Sequence, residues 1–70
     1  MFEELTEALS YHDSILSYSI QNSIQSGKTP AEIYAFIFDV SRDNYSVMEE
    51  MIGPELLRRI ILFHEYTCQN

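Results

Sequence analysis

The sequence predicts an all-α fold: an antiparallel hairpin of two long helices plus a shorter C-terminal helix, a three-helix unit paired into a larger bundle. Three observations lead there. Apolar residues recur in steps of three and four along most of the chain, and nowhere alternate as in a strand. The two glycines, Gly27 and Gly53, fall where these runs stop, and the two prolines, Pro30 and Pro54, where the next ones start. The middle run carries more apolar surface than one neighbouring helix covers. Residues 1–70 are read as a single helical domain, with helices at about 3–26, 30–52 and 54–67.

The first helix is expected over residues 3–26. Glu3, Glu4 and Glu7 lie in its first two turns, at the positive end of the helix dipole. Leu5, Leu9, His12, Leu16 and Ile20 step along one face, with Phe2 and Ile24 at its edge. Ser10, Ser14, Ser17, Gln21 and Gln25 take the opposite arc with Glu3 and Glu7. Tyr11 and Tyr18 flank the stripe with Ile15 between them, and Ser19 and Ser23 fall inside it. Serine is a mediocre helix former, so packing must hold this helix more than propensity does. Gly27 suits a left-handed C-terminal cap, and Gly27-Lys28-Thr29 is a connector short enough to make the first two helices neighbours.

The second helix is expected over residues 30–52. Thr29 is placed as N-cap, Pro30 as the first helical residue, and Glu32 three residues after the cap completes a capping box. Ile33, Ile37, Val40, Asn44, Val47 and Met51 form one row. Tyr34, Phe38, Ser41, Tyr45, Met48 and Ile52 form a second. Together the rows span an arc of roughly 200°. Ser41-Arg42-Asp43-Asn44 are weak helix formers, and Asp43 or Asn44 could start a new helix. Both rows keep their phase across them, so one continuous helix is predicted. Val40, Asn44 and Val47 then mark a candidate oligomer seam, in which a buried Asn would set register.

Gly53-Pro54 opens the third helix, which runs to about residue 67. Leu56, Leu57, Ile60, Ile61, Phe63 and His64 share one arc. Glu55, Arg58, Arg59 and Glu65 share the other, where Leu62 and Tyr66 stand out as apolar residues among charges. The residues after Tyr66 are expected to fray.

Eleven acids against four bases give a formal charge of −7, which disfavours direct nucleic-acid binding and an anionic membrane surface. The charge is compatible with a basic protein partner. The acidic N-terminus does not read as a secretory signal, and no apolar run approaches the roughly 20 residues of a membrane span. Cys68, the single cysteine, suits a reducing compartment. The expected location is cytoplasmic, including a host cell if the protein comes from a virus or mobile element.

No constellation of residues points to catalysis. The residues three before His12 and His64 are Leu9 and Ile61, so the Glu-x-x-His pairs of a di-iron bundle are missing, and no His or Cys pair has zinc spacing. His12 and His64 read as core-edge histidines. Asp13 is next to His12 in the chain but points about 100° away on a helix, so it is poorly placed to orient it. Cys68 has His64 one turn back and nothing else to activate it. The glycines form no phosphate loop. No enzyme, cofactor or metal is predicted.

The expected function is that of a small acidic regulator or inhibitor that occupies a partner protein's surface, the chain itself being a homo-oligomer, a dimer as first guess. Alternatives are an oligomer holding a small ligand between subunits, and a carboxylate-rich mimic of nucleic acid. Arg59, Leu62 and Tyr66 are the first candidates for an interface, since Tyr and Arg dominate binding hot spots. Tyr11, Tyr18, Tyr34, Phe38 and Tyr45 are a second set at helical spacing.

Overall fold

The structure is a computed structural model that describes residues 2–68; the side chain of Cys68 and residues 69–70 lie outside the described part. Among the described residues there are helices and no strands. They are α1 (Glu3–Ser10), α2 (Ile15–Gln25), α3 (Pro30–Asp43), α4 (Tyr45–Ile52) and α5 (Pro54–Cys68). The all-α class stands. The arrangement of two long helices and a short one does not, because both long helices are divided.

The expected 3–26 helix divides at residues 11–14. The Tyr11 N–H reaches the Ala8 carbonyl at 3.4 Å and the His12 N–H the Leu9 carbonyl at 3.1 Å, a tightened last turn that ends α1. Ser14 then adopts extended backbone and its hydroxyl accepts from the Ser17 N–H at 3.1 Å. That is an N-cap, which starts α2 afresh. Ser17, placed on the polar arc by its spacing, is fully buried: its hydroxyl donates to the Leu9 carbonyl at 2.7 Å and accepts from Gln21 Nε2 at 3.0 Å. A hydrogen bond between the two segments thus replaces helical continuity.

The expected 30–52 helix divides at Asn44, whose φ of −135° and ψ of 47° leave the helical region. Asn44 still donates to the Val40 carbonyl at 3.0 Å and accepts from the Met48 N–H at 3.1 Å. One residue therefore redirects the chain with both of its own backbone groups still bonded. The continuous seam is interrupted there. Val40 is half-buried against the core, Asn44 is exposed at the junction, and Val47 is 49% exposed.

The α3 start follows the sequence closely. Thr29 Oγ1 accepts from the Glu32 N–H at 3.2 Å, and the Glu32 carboxylate accepts from the Thr29 N–H at 3.1 Å. Gly27 takes a φ of +84° after α2, and the connector brings α2 against α3. Gly53, with φ 88° and ψ 150°, occupies a region that only glycine visits readily, and Pro54 opens α5 directly after it.

The core is Leu5, Leu9, Ile20, Ile33, Ile37, Met48, Met51, Ile52, Leu57 and Ile60, so every helix contributes. Helix α3 packs most extensively against α5, while α4 bridges α1 and α5. The radius of gyration, 11.2 Å, matches the roughly 11 Å expected of a compact chain of this length. One copy therefore encloses its own core.

Candidate functional site

Helix α5 uses Leu57 and Ile60 for the core and turns Leu62, Phe63 and Tyr66 outward, at 54%, 47% and 69% exposure. The one-turn spacing of Leu62 and Tyr66 follows from the helix itself. Phe63 joins them because its ring packs edge-on against Tyr34, centroids 5.2 Å apart, instead of entering the core. Tyr34 in turn meets Phe2 edge-on at 5.8 Å, so a row of three rings from α3, α5 and the N-terminal segment supports the patch from below. Arg59 borders it. One guanidinium nitrogen of Arg59 lies 2.9 Å from each carboxylate oxygen of Glu4. Both side chains are more than half exposed, so this pair adds little stability. Arg59, Leu62, Phe63, Glu65 and Tyr66 together line an open depression.

The structure therefore brings together Arg59, Leu62 and Tyr66. It also adds Phe63, which the spacing assigns to the apolar arc. Its partner Tyr34 lies on another helix, so sequence offers no signal for that exposure. Tyr34 and Phe38 are half-buried with intramolecular partners: Phe38 stacks at a tilt on the His64 ring, centroids 4.4 Å apart, with the Arg42 guanidinium 5.7 Å from its centroid. Arg42 is also held by Asp39 at 2.6 Å. Tyr45 is 46% exposed at the start of α4, away from that cluster in the chain.

Tyr11 and Tyr18 belong to a second edge, around the α1–α2 turn. Tyr11 is 77% exposed, Tyr18 52%, and Ile15 between them 86%. The Tyr18 hydroxyl donates to the Asp13 carboxylate, and that bond, reinforced by the negative charge, pushes the phenol pKa up. The sequence places Ile15 between the tyrosines, but reads it as one face of a continuous helix. As the first residue of α2, just after the cap, it has no neighbouring turn to lean on.

Next to this edge, His12, Asp13 and Ser14 face Leu16 of α2 and Val47, Glu50 and Met51 of α4 across a shallow groove. A depression below Arg59, more enclosed than this groove, holds about 190 Å³ between Phe2, Leu5, Tyr34, Leu56, Ile60 and Phe63. That is below the roughly 300 Å³ at which sites for drug-sized molecules begin. Among the described residues no three His, Cys, Asp or Glu side chains gather closely enough to hold a metal ion. No described helix is long and apolar enough to cross a membrane.

Compared with known protein families, curated proteins and solved structures, the chain matches none of them.

Proposed function

We propose that this protein is a small acidic regulator that works by occupying the surface of a partner protein, with the outer face of α5 as its contact surface. One observation carries the reading. Leu62, Phe63 and Tyr66 lie together in solvent on a helix whose core duty is already met by Leu57 and Ile60. Single exposed apolar residues are ordinary, whereas a contiguous patch of a leucine and two aromatic rings beside an arginine has the composition of a binding hot spot. The formal charge of −7 favours a partner with basic flanks around an apolar centre.

The test is the double substitution Leu62→Ser with Tyr66→Ser. A partner captured by the parent protein is purified and titrated against both forms. The variant is expected to keep its helical circular dichroism and to lose at least about tenfold in affinity, as two hot-spot truncations imply. Unchanged affinity refutes the reading, and so does loss of helicity, which would make these residues core. Light scattering on the same samples separates self-association from binding of another protein. If the parent alone is a dimer that the substitution splits, the α5 face joins two copies and the regulator reading is wrong. A salt titration addresses mimicry of nucleic acid, for which affinity would fall steeply as salt rises.

A further inference from the structure

We infer that the groove between the α1–α2 turn and α4 is a second docking site, built for a basic amphipathic segment of a protein partner. It rests on the reading that the protein acts through a protein partner, and not on the α5 face.

The floor of the groove is apolar: Leu16 is half-buried, Met51 is buried and Val47 is half-exposed. Its rim carries two exposed carboxylates, Asp13 and Glu50. Exposed Tyr11 and Ile15 are next in the chain to the rim residues His12 and Ser14.

The charge around it is one-sided. Its charged lining residues are Asp13 and Glu50, with no lysine or arginine between them. The four bases of the chain are Lys28, Arg42, Arg58 and Arg59, and none of them lines the groove. Asp13 also accepts a hydrogen bond from the Tyr18 hydroxyl.

These features select the occupant. Apolar side chains fit the floor, and lysines or arginines one turn away on the same helical face meet Asp13 and Glu50. A second copy of this chain is a poor occupant, since it brings seven more net negative charges. Nucleic acid is a worse one.

The probe is a labelled helical peptide with leucine on one face and lysine on the other, titrated by fluorescence anisotropy at physiological salt. A cationic peptide is attracted to any acidic protein, so the comparison is between two variants of equal charge. Asp13→Asn with Glu50→Gln removes the rim, and Glu55→Gln with Glu65→Gln removes two carboxylates of α5. The rim variant is expected to bind about tenfold more weakly than the parent, and the α5 variant within about twofold of it. Amide shift changes on the parent should centre on His12, Leu16, Val47 and Met51. Equal weakening in both variants, or shifts centred on Leu62, Phe63 and Tyr66, overturns the inference. The Leu62→Ser, Tyr66→Ser protein separates the two sites: it should bind this peptide like the parent even if its own partner is lost.

Discussion

Thr29 and Glu32 close a reciprocal pair of hydrogen bonds at the head of α3, and each can be tested alone. Thr29→Ala removes the acceptor for the Glu32 N–H and should cost about 1 kcal/mol in urea denaturation. An unchanged midpoint would mean the cap is idle. The Glu32 carboxyl titrates below its ordinary range, first because it accepts from the Thr29 N–H, then because it accepts from the Thr29 hydroxyl. A carboxyl lowered by folding contributes stability that is complete above its unfolded pKa and lost as the pH falls through its folded one. Stability should therefore fall on acidification through and below the usual glutamate range, and Glu32→Gln should flatten that part of the profile. This pair was legible because a capping box is written in four consecutive residues. Ser17 was not, because its acceptor, the Leu9 carbonyl, belongs to another helix eight residues back.

That same hydrogen bond acts at the scale of elements, since it joins α1 to α2 across their break. Ser17→Ala removes the hydroxyl from a fully buried site and leaves the Leu9 carbonyl with the His12 N–H as its close donor. The expected loss is about 1–2 kcal/mol, with faster amide exchange at residues 11–14 in hydrogen-exchange measurements. A loss under about 0.5 kcal/mol would show that Gln21, whose Nε2 is 3.5 Å from the same carbonyl, takes over. Helix existence, and the starts of α3 and α5, could be read from Thr29, Pro30, Gly53 and Pro54. The two internal breaks could not, for a physical reason. The turn at residues 11–14 spans four residues, close to the 3.6 of one helical turn, so the apolar stripe resumes in phase. At Asn44 the backbone bonds to Val40 and Met48 keep the four-residue step intact. Periodicity counts residues, and neither break changes the count. Ser14, just ahead of Ile15 and Leu16, was the available clue to the first.

Across the whole molecule, the divided helices change what Val40 and Val47 mean. On one long helix they share a seam and should respond alike. In the structure Val40 packs against the core, and Val47 is half-exposed in the first turn of α4. Val40→Asp should lower stability by about 2 kcal/mol or more, because a carboxylate is pressed against apolar neighbours. Val47→Asp should shift it by less than about 0.5 kcal/mol, since an acid in a first helical turn also favours the dipole. Thermal melts of the two variants give the comparison; equal losses would restore the seam. The candidate site divides in the same way. Leu62 and Tyr66 were legible as apolar residues out of place among charges, with Arg59 beside them on that arc. The α1–α2 groove was hidden, because it exists only where α4 turns away from α3 and meets the α1–α2 turn.

The ion pair between Glu4 and Arg59 spans 55 residues of chain, and Phe2 packs on Tyr34. The first helix therefore has neighbours at both ranges, α2 beside it in the chain and α4 much further on. Synthesis runs from the N-terminus at about 5–20 residues per second, so α1 waits several seconds on the ribosome before α4 and α5 emerge. With eight residues it is too short to persist as a helix alone over that wait. Leu9 meets α2 early, through the Ser17 hydroxyl, whereas the packing of α1 on α4 closes only once residues 45–52 have been made.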